Sequence, residues 1–366
     1  MPTAGAASRQ KAATERRGWT GIAASAWIAD GHGRRRMKVV QFARYGGPEV
    51  LELVERPMPV PAAGEIVVRS EAIGVGVPDM LMRAGDYNWI PPLPVVPGNE
   101  LAGRVAALGA GVSGVREGDR VYVNARELPQ RGGGYAEAIA VPAAAVFAVP
   151  DGVDLAQVVT LGNYQLAHLL LTYASNPRAG DAILVHAAAG GAGSALVQMA
   201  RAIGLTVYGV AGSAGKADYV RALGADAAID RSREDIAGRV AELTGGRGVA
   251  AVYDAVGGEA FATNFDMLAP MGLLVMFGHI AGWPDPDFLT PMRKHFGHSL
   301  GVRLFSIHTV DDRPDIRRAA MEEALRALAA GRIAPRIHAC MKLAEAAQAH
   351  ALLQAGEVTG KIVLVP

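Results

Sequence analysis

Cysteine is almost absent from this chain. Cys340 is its only thiol among 366 residues, so an internal disulfide and a multi-thiolate zinc site are both excluded. The sequence is therefore not that of a disulfide-stabilised secreted domain, and we expect a reducing, cytoplasmic location.

A strong charge of either sign and a long apolar run are also missing. The formal net charge is only +1, which argues against a nucleic acid or an anionic membrane as partner, because both favour a basic face. No apolar run approaches the roughly 18–20 residues of a membrane-spanning helix. Hydrophobic residues nevertheless make up 51% of the chain, which is enough for two domains, since one core seldom grows beyond roughly 250–300 residues.

Residues 1–36 differ from the rest of the chain. They are rich in Ala, Gly and Arg, show no sustained hydrophobic period, and end in Arg34-Arg35-Arg36. An over-long start, an organelle transit peptide and a genuine tail all fit this composition. We expect a disordered extension, after which Met37 opens the first strand.

The pattern changes near Leu155. Up to about residue 150, short strands alternate with Pro- and Gly-rich turns, which predicts a mostly antiparallel, barrel-like unit. Beyond it, strands and helices alternate every 20–25 residues, as in βαβ units with a parallel sheet. After about residue 311 the chain is helical again and ends in the strand Lys361–Val365, which we expect to return to the first unit. The strands predicted for the parallel sheet are Ala182–His186, Thr206–Ala211, Ala227–Asp230, Ala250–Ala255 and Leu273–Phe277. Predicted helical stretches include Leu155–Thr172, Arg233–Leu243 and Glu259–Leu268, and Ser232-x-x-Asp235 resembles a capping box at the start of the second.

The motif that carries chemistry follows the first of these strands. Strand Ala182–His186 runs into a glycine-rich turn and then a helix, the order that a dinucleotide site requires. Glycines allow a sharp turn and a close approach to a pyrophosphate, and the helix start offers unpaired N–H groups to it. The residues that we expect at the pyrophosphate are Gly190, Gly191, Ala192 and Gly193.

The next strand indicates which dinucleotide is bound. NAD sites place an acidic residue roughly 20 residues beyond the turn, where it binds the ribose 2′-hydroxyl. Here Thr206–Ala211 is followed by Gly212, Ser213 and Lys216 with no acid at that place. Because Lys216 and Arg231 offer cations to a 2′-phosphate, the sequence favours NADPH over NADH.

Several short motifs now point to a family. From Met37 to Pro366 the chain resembles the zinc-free quinone oxidoreductase (zeta-crystallin-like) branch of the medium-chain dehydrogenase/reductase superfamily. The motifs that carry the resemblance are Asp79-x3-Arg83-x-Gly85-x-Tyr87, Gly118-Asp-Arg-Val121, Val185-His-Ala-Ala-Ala-Gly-Gly-Ala-Gly193, Leu223-Gly-Ala-Asp226 and Thr359-Gly-Lys-Ile-Val363.

The resemblance implies an α/β protein in which a Rossmann doubly wound parallel-sheet domain interrupts a GroES-like, mostly-β catalytic domain. The implied boundaries are residues 37–158 and 309–366 for the catalytic domain and 159–308 for the NADPH-binding domain. It also implies a homodimer or homotetramer that reduces quinones or α,β-unsaturated carbonyl compounds. Tyr87 would lie beside the nicotinamide as the candidate catalytic residue, and Val256, Phe277, Gly278 and His279 would line the nicotinamide half of the site.

Zinc ligands are missing at the two places where zinc alcohol dehydrogenases carry them. Gly76-Val77-Pro78 stands where the ligand Cys would be, and Asn99-Glu100 replaces the His-Glu pair. Without a metal to polarise an alkoxide, alcohol oxidation is disfavoured. We therefore expect no metal site.

Two alternatives remain open from the sequence. A 2-enoyl-thioester reductase would need a basic rim for a carrier phosphate; Arg126, Arg131, Arg293 and Lys294 are available but are not clustered in the sequence. A non-catalytic, crystallin-like NADPH-binding protein would keep the nucleotide pocket without turnover. The stretch from Ala125 to Gly134 is interpreted as a mobile loop that borders the substrate cleft.

Overall fold

A computed structural model of the protein describes residues 35–366. Its strands are β1 (Arg36–Gln41), β2 (Glu52–Pro57), β3 (Glu65–Val75), β4 (Glu100–Leu108), β5 (Arg120–Asn124), β6 (Ala138–Pro142), β7 (Val146–Ala148), β8 (Ala182–Val185), β9 (Thr206–Ala211), β10 (Ala227–Asp230), β11 (Val249–Asp254), β12 (Leu268–Met276), β13 (Gly301–Leu304), β14 (Ile337–Lys342) and β15 (Lys361–Val365). Its α-helices are α1 (Val77–Ala84), α2 (Leu155–Val158), α3 (Leu161–Leu169), α4 (Gly191–Ala202), α5 (Ala214–Ala222), α6 (Ile236–Thr244), α7 (Leu289–Met292), α8 (Pro314–Ala329) and α9 (Ala346–Gln354).

The long strand β3 organises the first sheet, whose strand order is β14-β15-β3-β4-β5-β7. Strand β3 pairs with antiparallel β4 along most of its length. The first half of β3 also pairs with β6, and the last residues of β3 pair with β15. Most side chains of β3 are buried, as expected for a strand that is covered on both faces. Strand β15 therefore joins the sheet built by the first half of the chain.

The second sheet is wholly parallel and has the order β10-β9-β8-β11-β12-β13. Strand order reverses next to β8, the first of these strands in the chain, which is the doubly wound arrangement of dinucleotide-binding domains. In such a sheet the carboxyl ends of all strands lie at one edge, where ligands bind. The fold predicted from the sequence is confirmed.

Several element boundaries differ from the sequence prediction. The helix expected from Arg233 begins at Ile236, because Asp235 is the N-cap and its carboxylate accepts the amide of Gly238 at 2.9 Å. The segment Glu259–Met267 is a 3-10 helix. The helix expected over 155–172 is divided into α2 and α3 and continues as a π-helical turn, Leu170–Ala174.

The predicted extension is too long by at least one residue. Arg36 is the first residue of β1 and pairs with Pro57 of β2, so the strand opens before Met37. The rest of the predicted disordered extension, residues 1–34, lies outside the described residues. In the part of the chain that is described, no helix has both the length and the apolar character to cross a membrane.

Candidate active site

Two glycines at the start of α4 have no space for a side chain. A Cβ atom on Gly193 would lie 2.3 Å from the carbonyl oxygen of Ala187, and one on Gly191 would lie 2.6 Å from Nδ2 of Asn163. Ala187 itself adopts a left-handed conformation, with φ of +49°. The close packing of α4 against the turn depends on these glycines.

The start of α4 is an unprotected helix N-terminus. Its N-cap is Gly190, which has no side chain to accept a hydrogen bond from the first turn. The amides of Gly191, Ala192 and Gly193 precede any intrahelical acceptor, because they belong to the first turn. Oriented amides and the positive end of the helix dipole suit an anionic group, so this turn fits a pyrophosphate.

Basic and hydroxyl groups follow β9. Ser213 caps α5 and accepts the amide of Lys216 at 3.4 Å, and the Lys216 ammonium donates to the carbonyl of Gly356. Arg231 follows β10, and its guanidinium lies 3.7 Å from the position that a Cβ on Gly212 would occupy. The four predicted residues are therefore held at one edge of the sheet, where a 2′-phosphate would find two cations and a hydroxyl.

Arg336 is a third cation near this edge, and the sequence analysis did not predict it as a site residue. Burial raises the pKa of Tyr219, while the nearby charge of Arg336 opposes that rise. Tyr219 lies 3.4 Å from the hydroxyl of Ser194 at the start of α4. Because Arg336 immediately precedes β14, a strand that sequence patterning did not predict, only the fold brings it to the nucleotide edge.

A buried polar network shapes the turn after β11. Asp254 accepts the amides of Val256 at 2.6 Å and Gly257 at 3.1 Å, and its other oxygen accepts Nδ2 of Asn264 at 3.2 Å. Asn264 in turn meets His186, at the end of β8, at 2.7 Å. Burial lowers the pKa of His186, so the imidazole is neutral in this network. The network therefore fixes the backbone conformation of the turn that contains Val256.

The residues after β12 form the adjacent wall. Phe277 is half-buried and its amide donates to the carbonyl of Asp254 at 2.8 Å. A Cβ on Gly278 would lie 2.8 Å from the carbonyl oxygen of Ala255, so this approach also requires glycine. His279 is exposed and stacks on Trp283, with ring centroids 4.7 Å apart.

Tyr87 belongs to the domain built on the first sheet (the first sheet domain), and it reaches the carboxyl edge of the second sheet. Its ring lies 5.4 Å from that of Trp89 and 5.9 Å from that of His308, a residue that follows β13. Trp89 and His308 stack with centroids 3.4 Å apart. Burial raises the pKa of the half-buried Tyr87 phenol, so the hydroxyl is protonated at neutral pH and can donate a hydrogen bond.

The loop from Ala125 to Gly134, which we interpreted as mobile, is held by ionic contacts. Arg126 and Arg131 bind the two carboxylate oxygens of Asp311 at 2.6 and 2.9 Å. Arg126 also donates to the carbonyl of Ile307 at 2.8 Å. The fold thus brings together two of the four cations considered for a carrier phosphate, whereas Lys294 pairs with Asp266 at 2.6 Å.

The residues at the expected zinc position do not form a zinc site. Gly76 has no side chain, and the amide nitrogen of Asn99 donates to Asp79 at 2.7 Å. Glu100 is bound by the Lys361 ammonium and also accepts the amide of Gly162 at 2.7 Å. Within residues 35–366, no cluster of three or more His, Cys, Asp or Glu side chains could hold a metal ion.

A glycine-rich βα turn on a doubly wound sheet, together with a β-domain that the sheet interrupts, defines a dehydrogenase or reductase of the two-domain type. Family models agree: residues 62–151 match the alcohol dehydrogenase GroES-like domain, and residues 191–329 match the zinc-binding dehydrogenase model. The zinc in the second model's name has no ligand set among the residues described above.

Comparison with known proteins narrows the family. A quinone oxidoreductase of Pseudomonas aeruginosa is 38% identical over 90% of this chain and 99% of that protein. A 2-haloacrylate reductase of a Burkholderia species is 33% identical over 88% of this chain and 96% of that protein. The crystal structure of Escherichia coli quinone oxidoreductase complexed with NADPH has a TM-score of 0.81 at 31% identity and covers 90% of this chain and 100% of that one.

The chain therefore belongs to the quinone oxidoreductase branch of the medium-chain dehydrogenase/reductase superfamily, and it is an oxidoreductase. The resemblance inferred from the sequence motifs is confirmed. The predicted domain boundaries and the roles of the site residues remain predictions.

Asp79, beside this site, generates a pH prediction. Burial raises the pKa of Asp79 to about 6 although Lys361 and hydrogen bonds from Gly76 and Asn99 oppose the rise. The native state then binds more protons than the unfolded state between about pH 4 and 6, so the carboxyl makes the unfolding free energy fall as pH rises. Relative to Asp79→Asn, we expect the wild type to lose about 2 kcal/mol between pH 4.5 and pH 7, at about 1.4 kcal/mol per pKa unit.

The measurement is urea unfolding of both proteins at pH 4.5 and pH 7. Asp151→Asn is the control, since Asp151 is an exposed carboxylate and its replacement should leave the pH profile unchanged. Parallel profiles for the wild type and Asp79→Asn would contradict the assignment.

Proposed function

We propose that the protein reduces quinones or α,β-unsaturated carbonyl compounds, with NADPH as hydride donor and without a metal. The observation that carries the proposal is the uncapped N-terminus of α4, at the same sheet edge as Lys216, Arg231 and Tyr87. We infer that this edge offers a turn suited to an anion, cations in place of the acid of NAD sites, and a phenol.

The residues proposed to hold NADPH lie at the carboxyl ends of successive strands. Gly190, Gly191, Ala192 and Gly193 would bind the pyrophosphate through backbone amides; Gly212, Ser213, Lys216 and Arg231 would bind the 2′-phosphate. Val256, Phe277, Gly278 and His279 would line the nicotinamide half. When bound, NADPH supplies the hydride, while the protein contributes position and electrostatics. The NADPH complex of the Escherichia coli relative supports this assignment.

Tyr87 is the proposed catalytic residue. Addition of hydride to a quinone or enone places negative charge on the carbonyl oxygen, which a hydrogen-bond donor stabilises. A phenol whose pKa is raised by burial keeps its proton and can serve as that donor or position the nicotinamide. Water can supply the proton that completes the reduction.

The two alternative functions have different support. The thioester alternative gains Arg126 and Arg131 as neighbours but does not gain Lys294, which is paired elsewhere. The non-catalytic alternative predicts NADPH binding without oxidation. A cytoplasmic location belongs to the proposal and rests on the scarcity of cysteine.

Steady-state NADPH oxidation tests the proposed activity. We expect turnover of a naphthoquinone or of an enone such as 3-penten-2-one, with no loss after treatment with a metal chelator. Tyr87→Phe should lower kcat/KM about 100-fold, the usual cost of losing one donor to a developing oxyanion. Tyr173→Phe, at an exposed tyrosine, is the matched control.

If NADPH binds but no quinone or enone is reduced, the non-catalytic alternative replaces the proposal. Turnover of crotonyl-thioester alone would favour the thioester reductase. Loss of turnover on metal removal would contradict metal independence.

Cofactor choice gives a separate prediction. Lys216→Ala and Arg231→Ala should each raise the dissociation constant of NADPH about 10–100-fold, since a hydrogen bond to a charged group contributes roughly 1.5–3 kcal/mol. NADH binding should change little, because it lacks the 2′-phosphate. Fluorescence titration measures both constants, and Arg233→Ala, at an exposed neighbouring arginine, serves as control. Equal losses for the two nucleotides would contradict the assignment.

A homodimer or homotetramer is also part of the proposal. In the described sheet, β13 pairs only with β12 and is an edge strand. Leu304 on this strand is 65% exposed and the nearby Phe296 is 90% exposed. An exposed apolar strand edge is a template for pairing with another chain, and a second copy would pair through the same patch by two-fold symmetry.

The double variant Leu304→Glu, Phe296→Glu should therefore dissociate the assembly. Light scattering should give at least twice the 38.0 kDa chain mass for the wild type and a smaller mass for the variant. Leu53→Glu, at an exposed leucine of β2, should not change the mass. A monomeric wild type, or an unchanged double variant, would overturn this interface.

A further inference from the structure

Two buried arginines share one carboxylate beside Tyr87. Arg126 and Arg131 contact the separate oxygens of Asp311 at 2.6 and 2.9 Å, and their side chains are only 10% and 11% exposed. The charges of both arginines act on the Tyr87 phenol. The pair therefore lies next to the proposed catalytic residue and not on an outer rim.

Their hydrogen-bonding capacity is incompletely used. Among residues 35–366, Arg126 Nε, Arg126 Nη1 and Arg131 Nε are buried and have no hydrogen-bond partner. Burying a donor without an acceptor is unfavourable, and more so when the donor belongs to a charged group. Donors left in this state on two adjacent guanidinium groups point to an acceptor that the protein itself does not provide.

The local charge balance is positive. Arg126 and Arg131 contribute two positive charges against the single negative charge of Asp311, which leaves +1 (2 − 1). Burial lowers the pKa of Arg126 to about 10, so it is still protonated at neutral pH, whereas His308, whose pKa burial lowers, adds no charge.

The neighbouring charged groups do not neutralise this excess. Glu127, which is close to the arginines, is bound by Arg317 at 2.7 Å and by Arg318 at 3.4 Å. Counting these groups makes the balance +2: four arginines, Arg126, Arg131, Arg317 and Arg318, face two carboxylates.

Flat aromatic rings adjoin the arginine pair. Trp89 stacks on His308, whose Nδ1 lies 2.7 Å from the same Asp311 carboxylate, and Tyr87 lies beside both rings. Planar apolar walls next to buried guanidinium groups suit a small conjugated molecule with an anionic end, since guanidinium binds carboxylate in a planar, bidentate manner.

We propose that Arg126 and Arg131 form a carboxylate subsite, so that the substrates of this reductase include small α,β-unsaturated acids. This inference rests on the proposed function and specifies its substrate class. A phosphate on a long carrier is the other anion that guanidinium groups bind, and the measurements below distinguish the two.

The reduction of such an acid balances as follows. A hydride from NADPH forms a C–H bond at the β-carbon, the electron pair of the double bond moves onto the carboxylate, and a proton from water is added at the α-carbon. The alkene is reduced and the nicotinamide is oxidised. During the step the acid acquires a second negative charge, which a fixed pair of cations in a partly desolvated site stabilises strongly.

Binding of an unreactive acid is the first measurement. Calorimetry with butyrate should show saturable binding to the full-length wild type. Arg126→Gln and Arg131→Gln should each raise its dissociation constant at least tenfold, and Arg131→Lys should restore part of the affinity because it keeps the charge. Thermal melting checks that each variant is folded, and Arg239→Gln, at an exposed arginine paired with Glu242, is the control.

Kinetics with two substrates of the same shape is the second measurement. The ratio of kcat/KM on crotonate to kcat/KM on neutral 3-penten-2-one should fall at least tenfold in Arg126→Gln and Arg131→Gln and stay unchanged in Arg239→Gln. A variant that merely weakens the fold would lower both values together and leave the ratio unchanged.

The inference fails if the wild type reduces 3-penten-2-one but neither binds butyrate nor reduces crotonate, a result that leaves the proposed function intact. It also fails if the kcat/KM ratio does not change in the variants. A third contradicting result would be that kcat/KM on crotonyl-CoA depends on the two arginines but kcat/KM on crotonate does not. The protein could instead bind butyrate in an arginine-dependent manner while none of the tested acceptors supports NADPH oxidation. That result would support the subsite and reject the proposed function.

Discussion

The site depends on the backbone amides in the first turn of α4, which remain accessible because the helix begins with glycine. A side chain at Gly193 would meet the carbonyl of Ala187 at 2.3 Å and push α4 away from β8, so the helix could not start where the sheet ends. The other residues proposed to hold the nucleotide follow β9, β10, β11 and β12, and a parallel sheet brings those positions to the same edge. The turn and the rest of the proposed nucleotide site are therefore consequences of one topology.

The first sheet domain is coupled to this turn through its last strand. The amide of Gly360, immediately before β15, donates to the carbonyl of Ala189 in the turn at 2.9 Å. The next residue, Lys361, is buried and binds Glu100, which also accepts the hydroxyl of Tyr122 at 3.0 Å. Removing one partner of such a buried ion pair leaves an uncompensated charge, which typically destabilises the fold by about 3–5 kcal/mol. The end of the chain thus links the sheet of one domain to the ligand edge of the other.

Sequence patterning predicted the features that depend on local periodicity. Strands β9 and β10 have the predicted bounds because each is an apolar run that ends at a Gly- or Ser-containing turn, and the glycine-rich turn was found because strand, turn and helix are contiguous. The edge strand β13 was missed, since Gly301–Leu304 is short and includes the charged Arg303. The start of α6 was misplaced because Ser232 and Asp235 are both plausible caps, and only the structure shows that Asp235 is used.

Contacts between distant segments could not be predicted in the same way. Nothing in the sequence joins Arg126 to Asp311, 185 positions apart, or places Trp89 on His308. These contacts depend on how the two domains meet, which no local pattern encodes. The proposed cofactor site could be located from the sequence because it is built from consecutive βα units, whereas the proposed substrate side consists of loops of both domains.

The central claim is that this edge of the sheet binds a pyridine nucleotide that carries a 2′-phosphate. Titration of the purified wild-type protein with NADPH and with NADH, followed by nucleotide fluorescence, tests it most directly. The account predicts saturable binding that is tighter for NADPH. No saturable affinity for either nucleotide, or tighter binding of NADH, would contradict it.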